Sequence, residues 1–316
     1  MYGDVQKQVS RLFKVSAIYQ PKTSKHEERL RARAAGAKTS HQINKKTSIY
    51  SWGHFKKVES TVRQFAVFQK ERGMGDLEKV SNRGVEKFLM EKIDKGVSHK
   101  HFQNLCSHFT KLEASLNRYC KEEKFNFDRV IDRCKEVAKD SLEKNIQARA
   151  YDNPKAILLQ IKDEKHELVA RLQYEGGARI REACLITEDR LGSLKIDKIS
   201  GREIGTITLQ GSDTKGGKGR EIIIEKETFE RLSRFIQKEK QLYLDATAKN
   251  IYRAELKAAA EATGQRYTGS HGLRHNYAQE RMNTYQEKGV GYHAACRMVS
   301  QEMGHERPSI TEWYLR

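Results

Sequence analysis

His271 and Arg274 stand one helical turn apart, and residues at i and i+3 share a helix face. There an imidazole can exchange a proton while a guanidinium, planar and always charged, grips an anion through two oxygens. Further on, Gly304-His305 supplies a second imidazole, and Tyr314 follows nine residues after His305. A phenol with a free pKa near ~10 attacks poorly until a base takes its proton. Nucleophile, base and fixed positive charge are the parts for attacking a phosphate without a metal.

Two upstream segments extend the set. Gly177-Ala178-Arg179-Ile180-Arg181-Glu182 offers a second guanidinium, Arg179, with a carboxylate one turn on to hold it. Thr214-Lys215-Gly216-Gly217-Lys218-Gly219-Arg220 is basic and Gly-rich, but no Gly-Lys-Ser/Thr opens a helix there, so it is no nucleotide-binding loop. In this order the motifs resemble those of the tyrosine recombinases, the phage-integrase family, which cut and rejoin DNA through a phosphotyrosine.

The resemblance implies a role for each residue. Arg179 and Arg274 clamp the phosphodiester, and Lys215 protonates the leaving 5′-oxygen, while Lys218 and Arg220 are expected to contact DNA or to serve as alternative acids. His271 takes the proton of Tyr314, His305 donates to the phosphate, and Glu182 and His275 support them. Cleavage would leave a 3′-phosphotyrosyl link that keeps the bond energy, so no cofactor, metal or ATP is implied. Ala178 stands where the family usually has Leu, Thr214 replaces a Gly, and Val-Pro is missing after Arg220. Glu287 to Gly291 looks like an inserted loop. A type IB topoisomerase shares this chemistry and is the enzymatic alternative; a catalytically silent DNA-binding protein is the other.

These residues need elements to carry them. Four apolar stripes at helical spacing run between Trp52 and about Asn145, the longest from Phe102 to Tyr119 with Ser98 placed as its N-cap. They predict a helical bundle over 51–148, which resembles the core-binding domain of the family. Lys100, His101, Gln103 and Asn104 lie on the polar face of its third helix as DNA contacts. His99, His101 and His108 read as ordinary helix histidines rather than metal ligands. From 149 to 316 the pattern predicts a catalytic domain that is mainly α with a small three-stranded antiparallel sheet, an α+β arrangement. Short β-branched runs near Leu194, Ile204 and Ile222 form that sheet, with Lys215 in its last turn. Ser309 and Thr311 are expected to cap a short helix presenting Tyr314.

Residues 1–50 read as a basic arm with one short helix, on which Tyr2, Val5, Val9 and Leu12 form an apolar stripe expected to pack on an adjacent protomer, with docking on the chain's own helical domain as the alternative. Lys45 and Lys46 in this arm are expected to contact DNA. The 316 residues suffice for two cores, and 60 Lys and Arg against 42 acids give a net charge of +18. Residues 1–60 hold thirteen of those cations against four acids. Such a balance points to a polyanionic partner. The partners implied are double-stranded recombination sites, three further copies in a tetramer, and accessory DNA-bending proteins. Five scattered cysteines without a CxxC pair, no long apolar run and no signal peptide read as a cytoplasmic protein.

Overall fold

The computed structural model describes all residues except Tyr2, 145–147, 215–218 and Glu306, and the side chain of Asp213. Lys215, Lys218 and Tyr2, all named above, thus lie outside the described residues. The chain forms two compact units, 1–145 and 146–316.

The first unit is helical: α1 (Val5–Ser16), α2 (Lys25–Ala34), α3 (Ser40–Lys46), α4 (Trp52–Lys70), α5 (Asn82–Asp94), α6 (His99–Cys120) and α7 (Asp128–Ser141). Ser51, Ser81 and Ser98 each accept a backbone N–H of the first turn and so start α4, α5 and α6. Phe65 of α4 meets Phe88 of α5 and Phe109 of α6 edge to face in the centre.

The first fifty residues differ from the expected arm. They hold three helices, and Val9, Leu12, Phe13, Ile18 and Ile49 are buried in the main core of this unit. Tyr19 and Ile49 form a parallel bridge, so the segment returns to where it left. Of the stripe, Val9 and Leu12 are covered by their own chain against α4 and α6 and Val5 is half-buried there, which is the own-domain docking that stood as the alternative to a neighbouring copy. Lys111 of α6, buried, donates to the carbonyls of Asn44 and Thr47 at the C-terminal end of α3. Burial lowers the Lys111 ammonium to about 7, while the partial negative charge of the helix end favours its charged form.

The second unit begins with α8 (Pro154–Gln160), α9 (Glu164–Tyr174) and α10 (Ile180–Ala183). Strands β1 (Leu185–Thr187), β2 (Leu191–Ile196), β3 (Glu203–Leu209) and β4 (Arg220–Glu225) follow, then α11 (Lys226–Glu239), β5 (Gln241–Tyr243) and α12 (Ala246–Ala262). It ends with α13 (His271–Glu287), α14 (Tyr292–Glu302) and α15 (Pro308–Tyr314). β2, β3 and β4 make an antiparallel sheet in that order, and the β3–β4 hairpin closes at the pair Leu209–Arg220. β1 and β5 form a separate antiparallel pair that the sequence pattern does not reveal.

Helix α13 is the spine of this unit. Leu273 belongs to one core, with the sheet, α9, α11 and α12, while Tyr277, Ala278, Met282 and Tyr285 belong to another with α14 and α15. A helix buried on two sides must satisfy its polar side chains internally. Asn276 exchanges hydrogen bonds with the backbone of Tyr151, and Arg281 pairs with Asp197 and Glu302. Among the described residues no helix is long and apolar enough to cross a membrane.

Candidate active site

The first turn of α13 places His271, Arg274 and His275 beside the end of α15. His271 Nε2 is 3.1 Å from the Tyr314 hydroxyl. The rings of His275 and His305 lie 4.5 and 5.2 Å from the phenol ring, centroid to centroid, and the Arg274 guanidinium lies 5.7 Å from it. Tyr314 is buried, and its backbone carbonyl accepts from Gln279. The short helix α15 is not capped by Ser309 or Thr311, as expected above. Arg307 is its N-cap residue and Pro308 its first, a position where the missing N–H costs nothing. Thr311 is instead buried one turn before Tyr314.

Arg274 is completely buried, and backbone carbonyls hold it in place. Its Nη1 donates to Gly177 and its Nη2 to Met303 at 2.6 Å. Gly177 has φ +59°, and a Cβ there would stand 2.5 Å from the Tyr277 ring, so the motif glycine is required by both backbone and space. Nη2 of Arg274 also lies 3.1 Å from His305 Nε2, so the neutral imidazole accepts there and carries its proton on Nδ1. The donor that His305 retains is therefore Nδ1. This atom and Arg274 Nε are buried without a hydrogen-bond partner among the described residues. Both are suited to an oxyanion.

Arg179 precedes α10, and Glu182 holds it twice, accepting its backbone N–H and its Nη1, each at 2.7 Å. Arg220 donates to the same carboxylate at 2.7 Å, and Arg274 Nη1 lies 4.0 Å away. Burial would raise the Glu182 pKa. The Arg220 hydrogen bond and charge, with the two bonds from Arg179, outweigh burial and bring it down to about 2. One ionised carboxylate thus gathers three arginines.

The histidines respond in the opposite sense. Burial, then the charges of Arg274 and His275, lower His271 to about 4. Burial and Arg149 lower His275 to about 4; burial and the arginines Arg274, Arg179 and Arg220 lower His305 to about 3. All three are neutral at pH 7, and His271 can accept a proton from Tyr314. Burial also lowers Arg274, to about 10, which leaves it cationic at neutral pH.

Two of the expected DNA contacts are engaged elsewhere. Arg220 is 9% exposed and tied to Glu182 and to the Glu302 carbonyl at 3.1 Å, not free on the surface. Lys45 lies 2.7 Å from Glu113 and 2.6 Å from Asp128, two carboxylates distant in sequence that the fold brings to α3. Lys46 is exposed and donates to the Ala35 carbonyl. Lys100, His101, Gln103 and Asn104 are exposed on α6. His108, on the same helix, is buried against Thr61 at 2.7 Å. Between α4 and α6 a hollow of about 740 Å³ is lined by His54, Lys57, Gln64, His101 and Asn104 among others, with no Asp or Glu among the described residues. A second, of about 410 Å³, shares His54 and Ser107, includes Gln103, and has no acid either. Sequence reasoning missed α4 as part of this face. It also missed Glu302, whose carboxylate holds Arg281, Tyr277 and Tyr285.

A family model described as "Phage integrase family" matches residues 141–316, more than half of the chain. The chain belongs to this family, the tyrosine recombinases. No curated protein sequence matches it. Among solved structures it is similar to the XerH site-specific recombinase bound to difH substrate, with TM-score 0.63 and 14% identity over 100% of this chain and 94% of that one. It is also similar to the Tn1549 transposon integrase in complex with circular intermediate DNA (TM-score 0.54, 14% identity, 100% and 96% covered). A lambda integrase dimer bound to a COC′ core site gives TM-score 0.54 at 13% identity, covering 97% and 81%. At these identities the likeness is one of fold.

Proposed function

We propose that this chain is a site-specific DNA recombinase that cleaves and rejoins strands through a 3′-phosphotyrosyl intermediate, serving a mobile element as a tetramer on paired sites. The observation that carries the reading is the Tyr314 hydroxyl, 3.1 Å from His271 Nε2 and packed against the buried Arg274. In the proposed step Tyr314 attacks the phosphorus, its proton passes to His271 Nε2, and the bond from phosphorus to the 5′-oxygen breaks. Lys215 gives the departing oxygen its proton. Arg179, Arg274 and His305 Nδ1 stabilise the charge that builds on the phosphoryl oxygens, usually the largest catalytic contribution. Rejoining runs the same steps backward from a partner strand.

The acid-free hollows flanking α4 and α6 suit the duplex. Lysines there neutralise phosphates, and the amides of Gln64, Gln103 and Asn104 suit bidentate pairing with adenine. The structures of the XerH, Tn1549 and lambda proteins named above contain DNA, which supports the choice of substrate.

The test is covalent trapping on nicked fragments from a genomic DNA pool. The wild-type chain should form an adduct whose sequencing reveals one recurring site, and Tyr314→Phe should bind that site without forming the adduct. An adduct that persists in Tyr314→Phe refutes the assignment. Strand exchange between two labelled duplexes separates recombination from relaxation of a single one.

A further inference from the structure

The side chain of Arg220 turns inward from the first residue of β4. Its Nη2 donates to Glu182 Oε2 at 2.7 Å and its Nε to the Glu302 carbonyl at 3.1 Å. Glu182 is the carboxylate that also holds Arg179. Glu302 directly precedes Met303, whose carbonyl holds Arg274. Its own carboxylate is fixed by Arg281, Tyr277 and Tyr285, so the carbonyl is a firm anchor. Gly304 has φ +67°, and a Cβ there would stand 3.1 Å from Arg220 Cδ and Nη1. The glycine before His305 lets the guanidinium lie against this turn.

We propose that Arg220 is a positioning residue which ties β4, the strand that follows Lys215 in the chain, to the clamp arginines and the His305 turn. This rests on the reading of the site as a DNA strand transferase. Three segments far apart in sequence, β4, α10 and the end of α14, meet at one rigid planar group. A guanidinium offers donors in a fixed fork, and an ammonium at the same place would be a single point charge. At 9% exposure Arg220 would have to release these partners to reach a phosphate. Catalytic geometry tolerates little error: a misplacement of about 1 Å costs on the order of 100-fold.

The experiment compares Arg220→Ala and Arg220→Lys with wild type on a nicked suicide substrate, measuring DNA affinity, its salt slope and the adduct rate at saturating DNA. Arg220→Ala should bind with unchanged affinity and slope while the saturating rate falls on the order of 100-fold. Arg220→Lys should recover only a minor part. A substrate with a 5′-bridging sulfur, whose leaving group needs no proton, should restore about tenfold or more in Arg220→Ala, because a displaced general acid is then bypassed. Fold stability alone would not favour the sulfur substrate, so this readout separates positioning from mere support; if Arg220→Ala does not fold, Arg220→Lys carries the same comparison. A salt slope lower by about 0.9 with a normal saturating rate would make Arg220 a phosphate contact and overturn the proposal. Equal loss on the oxygen and sulfur substrates would also overturn it. Absence of any wild-type adduct would instead remove the strand-transferase reading itself.

Discussion

His271 Nε2 and the Tyr314 hydroxyl face each other at 3.1 Å, although 43 residues separate them in the chain. The contact joins the first residue of α13 to the last of α15, and burial keeps the imidazole neutral at pH 7. A neutral acceptor beside a phenol is the arrangement that general-base catalysis needs. His271→Ala should therefore lower the single-turnover adduct rate by about 10²–10⁴ while leaving DNA affinity within twofold. An unchanged rate would show that another group takes the Tyr314 proton.

Lys215 can be tested by leaving-group chemistry. If it protonates the 5′-oxygen, a 5′-bridging sulfur should restore cleavage to Lys215→Ala, since a thiolate departs without a proton. Arg179→Ala and Arg274→Ala should not be restored, because their loss removes charge stabilisation of about 2.7–4 kcal/mol rather than a proton. Equal rescue of all three would contradict this division of labour.

The buried histidines make folding stability depend on pH. In the folded protein His271 and His275 titrate at about 4 and His305 at about 3, below the ordinary value of 6.5 that the unfolded chain regains. Between these limits the unfolded chain binds more protons, so stability rises with pH. The contribution is complete above about 6.5 and is lost as pH falls toward 4, then 3. Urea unfolding of the DNA-free protein from pH 7.5 to 4.5 should show this decline, and a smaller one in His275→Gln. A flat wild-type profile would rule it out.

Leu12 is wholly buried in the core of the first unit. Leu12→Ala should destabilise that unit by about 2–5 kcal/mol in denaturant melts. It should leave the stoichiometry of DNA complexes unchanged, since Val9 and Leu12 are already covered. Normal stability with loss of paired-site complexes would return α1 to an intersubunit role.

Lys45 and Lys57 should behave oppositely. Lys57, exposed at the acid-free hollow, should lower the salt slope of DNA binding by about 0.9 when changed to Ala. Lys45→Ala should leave the slope alone and cost about 1–3 kcal/mol of stability, because it strips a partner from the buried Glu113. Identical slopes for the two variants would contradict the division.

What the sequence determined by itself was local. Helical spacing located the stripes of α4 to α7, Ser98 marked the start of α6, and Gly-separated β-branched runs gave the three strands. The residues that meet around Tyr314 were legible because each sits in a short motif whose glycines and charges are sequence neighbours. Only the tertiary structure decided which cation meets which carboxylate. Arg220 and Glu182 are 38 residues apart and Lys45 and Asp128 are 83 apart, and in the sequence both cations read as groups for DNA rather than as partners of these carboxylates. The α1 stripe likewise fixed an apolar face but not what would cover it. Glu302 carries no local signature at all. Pairing and burial are properties of surfaces brought together by folding, and no spacing along the chain encodes them.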